Sequence, residues 1–321
     1  MVPLQRKKYV LFLWGLMMSS VVFGQQAPQF TQYTHSFMFI NAGFAGIDQQ
    51  GICVSGIARQ QWVGFTDQNG NKIAPQDFLI NISAPVPFLK GGLGASIIQD
   101  KLGFESNIGL QLAYSFHYEL SSGTLGIGLG LNLTNRSIDF SKFDPVDPND
   151  PSLLKSKQGD MLMDGNLGLY FRSNRNFYAG LSVTNLFESA GKNLSTSSGV
   201  IRFHTDRTFY LVAGYKTRLP NHPNMTLAPS LLIQSDIAST QYNLSTVVTY
   251  KNKFWGGLNY RFQESVGFLV GFKIDGISVG YSYDLPLLPV GLAGSHEISI
   301  SYCFKIKTEK INTRYKNTRY L

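Results

Sequence analysis

From Lys253 to Phe304 the chain reads FWGGLNYRF, SVGFLVGFKI, ISVGYSYDL and HEISISYCF, with only brief breaks between. Within Ile277–Asp284, Ile277, Val279, Tyr281 and Tyr283 fall on one side, and Ser278, Gly280, Ser282 and Asp284 fall on the other. In the last run Ile298, Ile300, Tyr302 and Phe304 oppose Ser299, Ser301 and Cys303. A period of two is a β-strand, because successive side chains leave opposite faces. A soluble sandwich would alternate in the same way. The aromatic apolar face, the small and polar opposite face and the closing aromatic together favour an all-β chain: an antiparallel transmembrane β-barrel of the outer-membrane kind.

The start of the chain fits export. Arg6, Lys7 and Lys8 precede a mostly apolar run from Tyr9 to Phe23, and Val22 and Gly24 stand just before Gln25. That pattern predicts a secretory signal over residues 1–24, since the run is shorter than the ~20 residues of a spanning helix. No later run is long and apolar enough for a membrane helix. The formal charge is +8, and Lys305, Lys307, Lys310, Arg314, Lys316 and Arg319 in the tail face only Glu309. Such a tail suits the lipid of the outer membrane or an acidic partner, or is simply a solvated end. An exported chain has no use for nucleic acid.

Ten further candidate strands precede the four closing runs, giving about fourteen, an even number as such barrels use. Ile108, Leu110, Leu112, Tyr114 and Phe116 oppose Gly109, Gln111, Ala113, Ser115 and His117. Leu125, Ile127, Leu129, Leu131 and Leu133 oppose Gly126, Gly128, Gly130, Asn132 and Thr134. One face suits hydrocarbon. The glycine of the other leaves the lumen thinly filled or lets a segment pack close to the wall. Short links such as Lys251–Asn252 and Asp275–Gly276 alternate with long ones such as Gln60–Pro75 and Asn135–Asp164, which fits short periplasmic turns and longer outer loops. The expected layout is a periplasmic N-terminal segment at 25–50, a barrel at 51–304 and a basic periplasmic tail at 305–321.

Several fragments, in order along the mature chain, carry a resemblance. They are Gln29-Phe-Thr-Gln-Tyr33, Asn41-Ala-Gly-Phe-Ala-Gly46, Arg59-Gln-Gln-Trp62, Lys101-Leu-Gly103, Asn176-Phe-Tyr-Ala-Gly-Leu-Ser182, Lys253-Phe-Trp-Gly-Gly-Leu258 and Ser295-His-Glu-Ile-Ser299. Together they resemble the PorP/SprF family of Bacteroidetes outer-membrane proteins. One departure is Ala42, where the family usually has proline, which loosens the local backbone. The resemblance implies a barrel working with the type IX secretion system, either in the secretion and gliding apparatus or as the partner that receives and anchors a secreted surface protein.

Candidate chemistry is sparse. Five histidines, at 35, 117, 204, 222 and 296, show no metal spacing, and no glycine-framed nucleophile lies near His117. Asp144-Pro-Val-Asp-Pro-Asn-Asp-Pro151 gathers carboxylates that could hold calcium, although its prolines describe a stiff solvated loop. Cys53 and Cys303 fall on the first and last strands, so barrel closure either joins them across the seam or leaves two unpaired thiols. Arg59 and Gln61 offer hydrogen bonds into the lumen or to a docking segment; Trp62 does the same or belongs to the interfacial aromatic belt. Leu287 and Leu288, in the apolar stretch Leu285–Gly294, mark partner contact or an inward plug. The reading is therefore non-enzymatic and cofactor-free: an outer-membrane accessory of type IX secretion that docks, delivers or anchors a surface protein. The alternative is a channel or transporter for small solutes.

Overall fold

The computed structural model describes residues 27–48, 51–67, 70, 72–143, 154–192, 194–196, 199–287 and 293–305. The signal segment at 1–24, the loop Asp144–Pro151, Leu288 and the tail beyond Lys305 lie outside the described residues. The strands are β1 (Ile52–Gln60), β2 (Gln76–Val86), β3 (Gly91–Leu102), β4 (Glu105–Leu120), β5 (Gly123–Asp139) and β6 (Lys157–Ser173). They continue as β7 (Phe177–Thr184), β8 (Leu194–Thr196), β9 (Gly199–Ile201), β10 (Thr208–Tyr215), β11 (Thr217–Leu219) and β12 (His222–Ser235). The last five are β13 (Thr240–Tyr250), β14 (Phe254–Arg261), β15 (Ser265–Ile274), β16 (Ile277–Pro286) and β17 (Ser295–Phe304).

All but β8 and β9 form one antiparallel sheet that closes where β17 pairs with β1 and where β10 pairs with both β7 and β12. β10 and β11 run end to end, broken at Lys216, whose N–H donates to Asn176 O at 3.0 Å. Counted as one stave, they leave fourteen strands around the barrel. β8 and β9 pair only with each other, within the loop that precedes β10. The Asp275–Gly276 link has φ 49° and 89°, the two-residue hairpin turn whose twist matches the flanking strands.

The alternating faces sort as the period of two requires. Leu129, Met161, Leu181, Leu258, Val270 and Ile298 point outward and stay exposed, a contiguous apolar belt that only hydrocarbon would cover without cost. β5 and β6 reach 17 residues each, beyond the ~9–11 that cross a bilayer. They project above the rim, and their longer pairing moves the start of β6 from the expected Gly165 to Lys157.

The expected periplasmic N-terminal segment is where the structure departs most from the sequence reading. Residues 27–48 lie inside the barrel. With short turns taken as periplasmic, Ala27 starts near the outer end, where its carbonyl accepts from Gln234 Nε2 at 3.3 Å. Asp48 ends near the inner end, 2.9 Å from Arg172 Nη1. The reason is composition: Phe30, Tyr33, Phe37, Met38, Ile40 and Ile47 are all buried, each stabilising by about 1.5–3 kcal/mol relative to exposure. A segment that apolar has nothing to cover it in the periplasm. Phe37 packs on Phe44, Tyr170 and Tyr178 at centroid separations of 5.5–5.9 Å. The plug therefore has a core of its own against the wall.

Candidate functional site

Opposite residues 42 and 43 the wall is glycine, and the plug's backbone lies directly on it. A Cβ on Gly43 would stand 2.9 Å from the carbonyl oxygens of Gly126 and Gly168 and from Tyr170 N. Wall glycines at 126, 128 and 168 answer it from β5 and β6. Asn41 begins the short 3-10 turn Ala42–Phe44: its Oδ1 accepts from Gly43 N at 2.8 Å, while Nδ2 donates to the carbonyls of Leu169 and Leu181. Ser115 Oγ donates to Gly43 O, and His117 Nε2 lies 2.9 Å from Ala45 O. That contact engages His117 with the plug backbone.

Toward the outer end, three of the resembling fragments meet in space. Arg59 Nη1 donates to Asp284 Oδ2 at 2.7 Å, to Glu297 Oε2 at 3.3 Å and to Thr31 Oγ1 at 3.1 Å. Glu297 accepts the backbone N–H groups of Thr31 and Gln32 at 2.9 and 2.8 Å. Thr31 Oγ1 also donates to Asp284, and Ser299 Oγ donates to Gln32 Oε1. Arg261, equally buried, pairs with Glu264 at 2.6 Å. The side chains of Arg59, Asp284 and Glu297 are all at most 3% exposed. The segment that Arg59 holds is thus the chain's own N-terminal stretch, and Arg59 is not presented to the outside.

Above this node an outer cavity of about 600 Å³ opens beside Ala27, Phe39, Gln61 and Trp62. A second cavity of about 650 Å³ lies at the inner end against Tyr33, His35 and Phe37. The plug stands between them. Gln61 and Trp62 therefore line the outer mouth, with Trp62 held at φ 49° and its ring 6.2 Å from that of Phe65. Leu287 is exposed on the same side, its N–H donating to Glu264 O. Cys53 and Cys303 are Cα partners in the β1–β17 ladder, and the structure joins them as a disulfide on the lumen side near the inner end. Among the described residues no group of three or more metal-ligating side chains is assembled.

Asp284, Glu297, Thr31 and Arg261 were missed as site residues. The available signal was parity. All three charged residues lie on the polar face of their strands, where a charge is either solvated or paired.

The family model described as type IX secretion system membrane protein PorP/SprF matches residues 22–302. No curated protein matches. The barrel is similar to that of TbuX, a toluene transporter of Ralstonia pickettii, at TM-score 0.48 and 13% identity over 83% of this chain and 92% of that one. It is similar also to the Acinetobacter baumannii outer membrane protein Omp33, at TM-score 0.44 and 10% identity over 79% of this chain and 98% of the other. The P. putida toluene transporter TodX gives TM-score 0.44 and 12% identity over 82% and 92%.

Proposed function

Because the chain belongs to the PorP/SprF family of type IX secretion system membrane proteins and is an outer-membrane barrel, we propose that it docks and anchors a secreted surface protein at its outer mouth. The observation that carries this is an outward-open cavity above a filled lumen. A solute channel needs a continuous wet path, whereas residues 27–48 put Tyr33, Phe37 and Phe44 across it, packed against Tyr170 of β6. A receptor needs a shaped mouth and apolar contact surface. Phe65, Phe187, Ile237 and Leu287 are exposed in the outer links, Phe187 and Ile237 by more than 70%. Ile237 also holds φ 75°, an unfavourable conformation for a β-branched residue, and strain of that kind gathers at contact sites. The barrel does no covalent chemistry in this reading, and it works beside other secretion components.

The test is gentle detergent extraction of the native outer membrane, affinity capture of this chain and mass spectrometry of what accompanies it. A stoichiometric secreted protein or secretion-machine subunits support the anchor. A lone barrel that conducts ions steadily in a planar bilayer overturns it in favour of the transporter.

A further inference from the structure

The outer cavity has a chemistry of its own. Six carboxylates line it, those of Asp77, Asp100, Glu105, Asp206, Asp236 and Glu264, against the guanidinium groups of Arg136 and Arg261 among the described residues. Both guanidiniums are engaged, Arg136 by Glu105 at 2.6 Å and Arg261 by Glu264 at 2.6 Å. This acidic mouth belongs to a chain whose formal charge is +8.

Asp77 and Asp100 are direct cross-strand partners on β2 and β3. Their carboxyls lie within hydrogen-bond reach of each other, and two ionised carboxylates so placed repel. Arg59, the Cα partner of Asp77 on β1, acts on it through space but gives its direct ion pairs to Asp284 and Glu297. Asn107 Nδ2 donates to Asp100 at 3.3 Å and to Glu105 at 3.0 Å, while Asn107 Oδ1 is buried with no partner.

A second observation lies deeper. Gln111, on the lumen side of β4 at the cavity's floor, is 3% exposed, and neither its Nε2 nor its Oε1 makes a hydrogen bond. An amide buried with both ends unmade is costly, and this one faces the cavity. Gln111 lies four residues further along β4 than Asn107, about 13 Å along the strand at ~3.3 Å per residue. No single ion can serve both levels. Phe39, Ile98 and Tyr210 supply apolar wall in the same cavity, suited to the methylene stem of a long basic side chain.

We propose that the outer cavity is a receptor pocket for a basic peptide segment of the secreted partner, with a lysine or arginine side chain paired to the adjacent carboxyls of Asp77 and Asp100 and a peptide group hydrogen-bonded to Gln111. This rests on the docking function above and names the chemistry the partner presents. Charge complementarity selects the occupant, and the depth of the cavity makes it a chain segment.

The test uses the purified full chain in detergent and a fluorescent synthetic peptide of alternating arginine and alanine, read by anisotropy, beside a glutamate–alanine peptide of equal length. The basic peptide binds saturably and the acidic one does not. D77N/D100N, which keeps shape and removes the repulsion, weakens binding about tenfold or more, as loss of charge-assisted bonds does. Q111L weakens it by a smaller factor. Heat-modifiable migration confirms that each variant is folded. Equal binding by wild type and D77N/D100N overturns the proposal, as does saturable calcium binding at Asp77–Asp100 with no peptide binding. The two readings separate in the native membrane: a partner captured equally by wild type and D77N/D100N leaves the anchor standing and removes this pocket, whereas no partner with wild type removes the anchor itself.

Discussion

Gly43→Ala tests the packing of the plug with a single carbon. The new Cβ would stand 2.9 Å from Gly126 O, Gly168 O and Tyr170 N. All three are backbone atoms of the paired strands β5 and β6, so none can rotate aside as a side chain would. Relief requires the turn Ala42–Phe44 to lift from the wall, and overpacking of this kind costs about 1–3 kcal/mol. That corresponds to roughly a 5–150-fold larger population with the plug displaced. Residues 27–48 contain no lysine or arginine, so the assay is chymotrypsin cleavage within Phe30–Phe44, followed by mass spectrometry of the released peptides. Cleavage reports the open population when reclosing is fast. Planar-bilayer recording of the same preparation should show conducting events rise in parallel. Gly56→Ala is the control, since its Cβ meets nothing nearer than Ile300 Cγ2 at 3.6 Å. If Gly43→Ala and Gly56→Ala match wild type in both measurements, the plug does not lie against this wall and the reasoning fails.

Three further outcomes follow from the same geometry. Non-reducing peptide mapping of protein from native membranes should recover Cys53 and Cys303 in one linked peptide pair; two alkylatable thiols would refute the disulfide. Arg59→Met strands two carboxylates that are 3% and 1% exposed, at a cost of about 3–5 kcal/mol. That shows as a lower temperature for the folded-to-unfolded shift on gels, partly restored by adding D284N, and an unchanged temperature sinks the buried-node account. Ala42→Pro should be tolerated or stabilising by about 0.4–1 kcal/mol. Asn41 is already extended at φ −144°, ψ 108°, as the residue before proline requires, and position 42 opens a helical turn. Faster chymotrypsin cleavage of the plug in this variant counts against that.

The barrel was legible because its signal is repeated in strand after strand: Leu125 to Leu133 against Gly126 to Thr134 is one instance of a pattern that recurs around the sheet. The plug was legible only in its imprint. Glycines at 109, 126, 128 and 130 pointed to thin filling or to a close-packed segment, and choosing between these needed the partner at Gly43. Residues 27–48 carry no period of two or of 3.6 long enough to read, since their turns are three or four residues long. Their apolar content was therefore the only cue. Arg59 lies on the lumen side, where its bonds go to Thr31, Asp284 and Glu297. Its partners Asp284 and Glu297 lie more than 220 residues away, and only register brings them together. Asp77 and Asp100 were hidden for the same reason: adjacency across a ladder is a property of pairing, not of spacing along the chain.

The seam between β1 and β17 is where these features converge. Its ladder runs from Ile52↔Phe304 to Gln60↔His296, and it joins segments 250 residues apart, so closure carries the loop entropy of nearly the whole chain. Two ties sit at opposite ends of that ladder. The Cys53–Cys303 bond is covalent and near the inner end, whereas Arg59 and Glu297, also direct partners, are joined by charge near the outer end. Between them the plug bonds to both strands, through Ser55 Oγ to His35 O on β1 and through Ser299 Oγ to Gln32 Oε1 on β17. Thr31 adds Asp284 on β16. Without the plug, Glu297 would lose two N–H donors and stand beside a second carboxylate, with Arg59 shared between them. The outer end of the seam is therefore complete only when residues 31 and 32 are in place. The plug and the seam share one hydrogen-bond network. The glycines that let the plug lie flat on β5 and β6 serve a junction on the far side of the barrel.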